Sequence, residues 1–103
     1  MSNVYSYGMV FLEVVCGRKP TDAKLQGKFE GRLLDWVWDL YSKGKLKMAI
    51  DETLQGAFDE EQLDQTLIVG LACLHPDPTE RPSIQIALEA LEGRAPLPLI
   101  PML

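Results

Sequence analysis

The amino-acid sequence predicts an all-α fold of four to five helices. Apolar residues recur at spacings of three and four in four separate stretches, which places them on one face of a helix in each stretch. Glycine or proline follows each stretch, as is typical of a helix end. No stretch shows the period-two alternation, bounded by hairpin turns, that is typical of β-strands.

The first predicted helix, residues 4–16, is apolar on almost every side. Glu13 is its only charged residue. We expect Ser2 or Asn3 to cap its first turn and Gly17 to end it. A helix that is apolar all round lies in the interior of a large body. A chain of 103 residues supplies only part of such a body.

A loop and a second helix follow. Residues 17–31 are rich in Gly, Lys and Pro, which predicts an exposed loop. Residues 32–43 form an amphipathic pattern that ends at Gly44. The apolar stripe of this helix consists of Leu33, Leu34, Val37, Trp38 and Tyr41, with Asp35, Trp36 and Asp39 off the stripe. Residues 45–58 predict a short helix or turn that leads into a loop.

The third helix is expected to start at an acidic cluster. Asp59, Glu60 and Glu61 suit the positive end of a helix. A metal site is the weaker interpretation, because consecutive helical side chains point in different directions. The apolar positions that follow are Leu63, Leu67, Val69, Gly70, Leu71 and Leu74. The helix should stop at His75-Pro76, because proline cannot continue it.

The last predicted helix starts near Pro82 or Ser83 and ends at Gly93. Its expected apolar stripe consists of Ile84, Ala87, Leu88 and Leu91. Residues 94–103 contain three prolines and predict an extended tail.

Composition excludes several classes of function. The chain is 47% hydrophobic and 24% charged, as in soluble globular proteins, and its net charge is −5. That acidity disfavours binding to nucleic acid and direct contact with an anionic membrane. Cys16 and Cys73 lie far apart in apolar surroundings, which predicts two free, buried thiols. No secretory signal is visible, and no unbroken apolar run approaches the length of a membrane span.

Several motifs in order carry a resemblance to a known family. SNVYSYGMVFLEVVCGRKP and HPDPTERPS resemble the C-terminal part of the large lobe of a eukaryotic protein kinase. LLDWVWDLYSKGKL, FDEEQLDQTLIVGLACLHPDPTERPSIQIALEALEG and APLPLIP are most similar to plant receptor-like serine/threonine kinases of the legume-type (L-type) lectin group. The resemblance implies a partial kinase domain over residues 1–93, made of its C-terminal helical subdomain, and a Pro-rich tail over residues 94–103.

The implied parent is a signalling receptor kinase. It would transfer phosphate from ATP, with Mg²⁺, to protein Ser and Thr on the cytoplasmic side of the plasma membrane. The missing remainder of the kinase domain would then be the chief partner of this chain. Met1 stands inside the first motif, which suits a start codon picked within a kinase reading frame, in a truncated gene model or a degenerate gene. Expressed alone, the chain is expected to be soluble and cytoplasmic.

The motifs that perform the chemistry do not occur in these residues. There is no GxGxxG, no HRD and no DFG. We therefore assign no catalytic, cofactor-binding or metal-binding residue, and expect no kinase activity from this chain alone. The alternative is a non-catalytic helical interaction module that competes for partners of full-length receptor kinases.

Two residues match structural supports of the family. Asn3 stands where the family has an aspartate that accepts backbone hydrogen bonds from the catalytic loop. It would do so without charge, or would simply cap the first helix. Arg81 matches an arginine that pairs with a glutamate ending the activation segment. Without that partner, Arg81 would turn outward, find a local acid such as Glu80 or Asp77, or make the fold unsteady.

Three ring side chains are further candidates for a functional role. His75 precedes a proline at a helix end, where it is expected to be a turn residue rather than a ligand or base. Trp36 and Trp38 are expected to pack the second helix, with a possible docking surface at one of them.

Overall fold

The computed structural model of the protein describes residues 4–25 and 27–100, with Lys28 described only in its backbone. These residues form four α-helices: α1 (Val4–Cys16), α2 (Leu33–Ser42), α3 (Glu60–Cys73) and α4 (Ile84–Leu91). Four short 3-10 helices lie between them, at Gly27–Phe29, Leu46–Ala49, Glu52–Leu54 and Pro78–Glu80. Over the described residues, only isolated bridges occur in place of strands. The predicted all-α class is confirmed.

The C-terminal end of α1 is held by its neighbours. Gly17 adopts a left-handed conformation with φ of +63°, which favours glycine. A Cβ built on Gly17 would also lie 2.1 Å from Oδ2 of Asp51. The backbone N–H of Asp51 donates to the carbonyl of Val15 at 2.8 Å. These contacts join the end of α1 to the segment of 3-10 helices that follows α2.

Helices α1 and α3 cross at two glycines. A Cβ on Gly8 would lie 2.8 Å from the carbonyl oxygen of Gly70 and 2.9 Å from Cβ of Cys73. A Cβ on Gly70 would lie 2.7 Å from Cδ1 of Leu12. Only glycine allows the two backbones this close, so the pair forms the centre of the helix packing.

Side-chain caps start the two later helices. Asp59 Oδ1 accepts the N–H of Glu61 at 3.0 Å, and Ser83 Oγ accepts the N–H of Ile86 at 3.1 Å. Each cap satisfies a backbone donor that the first turn leaves without a partner. The acidic cluster is therefore a helix start, as the sequence indicates.

Two apolar clusters make up the core. The first joins α1, α2 and α3 with the 3-10 segment, and the second joins the start of α1 with α3 and α4. The first cluster contains Leu12, Val15, Cys16, Leu25, Leu33, Val37, Leu40, Leu46, Ala49, Ile50, Leu63, Leu67, Leu71 and Leu74. The second contains Val4, Val69, Cys73, Ala87 and Ala90.

The predicted stripe of α4 needs a correction. Leu88 is 44% exposed, whereas Ala90 is buried. Only Ala87 and Ala90 of α4 are fully buried, while Ile84 and Leu91 of the predicted stripe pack half-buried against the second cluster. A narrow contact leaves the edge position Leu88 in solvent. On α2, Leu40 is buried as well, although the predicted stripe omitted it.

Candidate functional site

One side of α1 is an uncovered apolar surface. Tyr7, Val10 and Val14 are 48%, 50% and 64% exposed, respectively. Their spacing of three and four residues places them in one line along the helix, and we call these three residues the α1 stripe. On the packed side of the same helix, Leu12 is 0% exposed. A row of exposed apolar side chains on a helix whose other side is packed is typical of a surface that contacts another element.

Arg81 lies at a corner between α3 and the start of α1. Its Nε donates to the carbonyl oxygen of His75 at 2.7 Å. Its guanidinium carbon lies 5.0 Å from the ring centroid of Tyr5, a cation–π contact. Within the described parts of the chain, no carboxylate lies within 4.0 Å of the guanidinium, so of the three alternatives expected for Arg81 the ion pair with Glu80 or Asp77 does not form. A backbone carbonyl and an aromatic ring hold the half-buried side chain in place of an acid.

The turn that carries Arg81 is organised by its own side chains. Nδ1 of His75 accepts the N–H of Asp77 at 3.0 Å, in keeping with its expected role as a turn residue. Asp77 in turn accepts the Thr79 hydroxyl at 2.7 Å and the Thr79 N–H at 3.0 Å. These two hydrogen bonds, helped by the nearby charge of Arg81, lower the pKa of Asp77. These hydrogen bonds fix the conformation of the turn that precedes Arg81.

Both tryptophans of α2 pack against the first core cluster. Trp36 lies under the guanidinium of Arg18, whose carbon is 4.9 Å from the ring centroid. Trp38 contacts Tyr41 and His75 edge to face, with ring centroids 5.9 Å and 6.2 Å apart, respectively. Each indole is half-buried, so only an outer edge is available to a partner. Their docking role stays a prediction.

The other expectations from the sequence concern Asn3, metal binding and membrane spans. Asn3 lies outside the described residues, and its role stays a prediction. Across residues 4–25 and 27–100, no group of three or more His, Cys, Asp or Glu side chains is placed to hold a metal ion. In the same residues, no helix is both long and apolar enough to cross a lipid bilayer.

The two cysteines are free and buried, as predicted. Burial raises the pKa of Cys16 to about 12 and that of Cys73 to about 11. Because the thiolate is the reactive form, both thiols are inert at neutral pH.

The sequence of this chain is similar to part of several plant receptor kinases. No family model matches the chain. It is 50% identical over 103 residues to the L-type lectin-domain containing receptor kinase IX.1 of Arabidopsis thaliana, covering 97% of this chain and 16% of that protein. It is 47% identical over 92 residues to the probable L-type lectin-domain containing receptor kinase S.7 of the same plant, covering 89% of this chain and 14% of that protein. The relatives of this chain are L-type lectin receptor kinases.

A solved structure supports the same relationship. The pseudokinase domain of BIR2, an immune regulator of the RLK/Pelle family, superposes with a TM-score of 0.70 at 30% identity, over 88% of this chain and 26% of that chain. The fold is therefore part of a protein kinase domain, and the resemblance to lectin receptor kinases is confirmed. The chain spans only about one seventh of the length of these receptor kinases.

Sequence reasoning missed two features of this region. The first is the crossing at Gly8 and Gly70, for which the only signal is a glycine inside each helical pattern. The second is the contact of Arg81 with Tyr5, which lies at the opposite end of the chain. No local pattern could have found that contact.

Proposed function

We propose that these residues form the C-terminal helical part of the large lobe of a receptor-like serine/threonine protein kinase. Residues 1–93 would be the partial kinase domain and residues 94–103 its tail. The relatives named above and the fold of the pseudokinase domain support this assignment. In the parent receptor, the chain would support ATP-dependent phosphoryl transfer to protein Ser and Thr on the cytoplasmic side of the plasma membrane.

The α1 stripe is the observation that carries the proposal. Its three apolar side chains stand about half exposed or more on a helix whose other side is fully packed. Burial of such side chains is worth about 1.5–3 kcal/mol each, so a surface of this kind favours contact with a further element. The remainder of the kinase domain would provide that element. A free-standing interaction module would instead carry polar residues along this line, which makes the module the weaker alternative.

We propose further that these 103 residues do not transfer phosphate by themselves. Phosphoryl transfer needs groups that cradle the phosphates, bind Mg²⁺ and orient the attacking hydroxyl. The sequence contains none of the kinase motifs that supply them. ATP and Mg²⁺ would be bound by the rest of the parent domain, where Mg²⁺ would neutralise the developing phosphate charge.

Two positions would act as supports in that parent. Asn3 would accept backbone hydrogen bonds from the catalytic loop through a neutral carbonyl, which makes weaker bonds than a carboxylate. Arg81 would offer its outward side to an acid of the activation segment. The contacts with His75 and Tyr5 support this role, because they orient the guanidinium without neutralising it.

A domain chimera tests the assignment. In the kinase domain of the IX.1 receptor kinase, the matching segment is replaced by this chain, and autophosphorylation is measured beside the parent domain. We expect a soluble, active chimera, because the helices should meet the same neighbours. An insoluble or inactive chimera, beside an active parent domain, would refute the assignment.

Variants of the chimera test the two finer claims. Asn3→Asp should raise its phosphorylation rate, because a charged acceptor holds the catalytic loop more firmly. An unchanged rate would leave Asn3 as a simple cap and refute its supporting role. The isolated 103-residue chain should incorporate no labelled phosphate above a boiled control. Incorporation above that control would refute the proposed inactivity.

A further inference from the structure

The tail leaves α4 through a sharp turn. Gly93 is left-handed, with φ of +77°. The N–H of Arg94 donates to the carbonyl of Glu89 at 2.8 Å, which closes the last turn of α4. The chain then continues through residues 95–100 without helix or strand. Pro96 and Pro98 restrict φ and remove two backbone donors, so this segment is held extended.

The burial of the tail repeats every three residues. Leu97 and Ile100 are half-buried, whereas Pro96 and Leu99 face solvent and Leu99 is 93% exposed. Three residues per turn is the period of an extended proline-rich helix, which presents every third side chain on one side. Leu97 packs against the second core cluster, and Ile100 packs against the first. The tail therefore lies across both clusters.

Within residues 95–100, apolar side chains make the contacts of the tail with the two core clusters. Over residues 95–100, no hydrogen bond and no ion pair joins the tail to the rest of the described chain. A segment without such bonds opens at a lower free energy than the global fold.

We propose that residues 95–100 form a detachable strap, which closes the second core cluster and opens as a unit while the helices stay folded. Leu97 is its anchor on that cluster, which Phe11, Ile84 and Leu91 also cover in part. Release of the strap uncovers an apolar groove between α1, α3 and α4, and gives solvent access to Cys73 in that cluster. The inference concerns this chain alone and does not depend on the kinase assignment.

The experiment measures thiol labelling of the folded 103-residue chain. Iodoacetamide labelling of Cys73 and Cys16 is followed over time and separated by peptide mass spectrometry. Cys16 reports global unfolding, because it is buried at the C-terminal end of α1, where α1 joins the segment of 3-10 helices that follows α2. Leu97→Ser should speed Cys73 labelling about tenfold and leave Cys16 unchanged, since loss of the anchor favours the open strap. Leu99→Ser is the matched control and should change neither rate, because Leu99 faces solvent.

Two results would overturn the strap. One is an unchanged Cys73 rate in Leu97→Ser, which would show that the tail does not close the cluster. The other is equal acceleration at both cysteines, which would show that the tail opens only with the whole fold. If Leu97→Ser does not fold, Leu97→Ala replaces it. This milder variant should speed Cys73 selectively by a smaller factor, and it is judged by the same two results.

Discussion

The two sides of α1 differ sharply in how they are packed. On one side, Gly8 and Leu12 lie within close contact of α3, with no room for an added carbon. On the other side, the α1 stripe of Tyr7, Val10 and Val14 is exposed although it is equally apolar. One helix therefore has a packed apolar side and a solvent-exposed apolar side, half a helical turn apart.

The difference teaches that apolarity and packing are separate properties of a helix. An apolar side chain contributes to stability only where neighbouring atoms exclude water from it. In the packed half, the chain itself supplies those atoms through α3. In the exposed half, they would come from elsewhere, which is why the stripe supports the assignment to a larger kinase lobe.

The largest expected effect tests the comparison directly. Leu12→Ala should lower the free energy of unfolding by about 2–5 kcal/mol, because it opens a cavity in the first cluster. Val10→Ala, one half-turn away, should cost no more than about 0.5 kcal/mol, as at other surface positions. Urea unfolding followed by circular dichroism measures both. Equal losses at the two positions would break the contrast between the two sides.

The second prediction concerns the crossing of α1 and α3. Gly8→Ala should destabilise the protein by about 1–3 kcal/mol, because the added Cβ meets backbone and must push the helices apart. Helix propensity acts in the opposite direction, since alanine is favoured over glycine by about 1 kcal/mol. Thermal unfolding decides the sign, with the exposed Ser6→Ala as control. A stabilised Gly8→Ala would mean that the crossing is looser than described.

The third prediction concerns the α1 stripe. The triple variant Tyr7→Gln, Val10→Lys, Val14→Gln should keep its melting temperature within a few degrees of the parent, because exposed positions contribute about 0.5 kcal/mol or less each. It should bind less hydrophobic dye and self-associate less in size-exclusion chromatography. Met48→Gln removes one exposed apolar side chain elsewhere and serves as control. Unchanged dye binding in the triple variant would show that the α1 stripe is not the surface that binds the dye.

The smallest expected effect is the pH dependence of stability that Asp77 causes in the turn that carries Arg81. The Thr79 hydroxyl and N–H hold the pKa of Asp77 below its usual range. A carboxyl whose pKa is lower in the folded state stabilises above the unfolded pKa of about 3.9, and this contribution is lost as pH falls through the folded pKa.

Asp77→Asn should therefore shrink the drop in melting temperature between about pH 5 and pH 2, since asparagine still caps the turn but does not titrate. Glu80→Gln, in the same turn, is the charge control and should leave the drop as in the parent. An identical acid dependence of Asp77→Asn and the parent would contradict the prediction.

The predicted elements and the observed ones agree where the signals are local. The first helix ends at Cys16, as expected from Gly17, and the acids at residue 59 and beyond start α3. The family resemblance rests on motifs in order along the chain, so it too was readable without a structure. The differences lie in tertiary contacts: Leu88 of the predicted stripe is exposed, and the contacts of Arg81 with the His75 carbonyl and the Tyr5 ring were not among its expected alternatives.

The sequence by itself determined that this protein is helical, where its helices begin and end, and which proteins it resembles. Caps, glycines, prolines and apolar spacing act over a few residues, so they can be read along the chain. Only the tertiary structure decided which side of α1 is packed, that Gly8 faces Gly70, and that Arg81 rests on Tyr5. Those contacts join residues tens of positions apart, and the shape of the whole packing, rather than any local preference, brings them together.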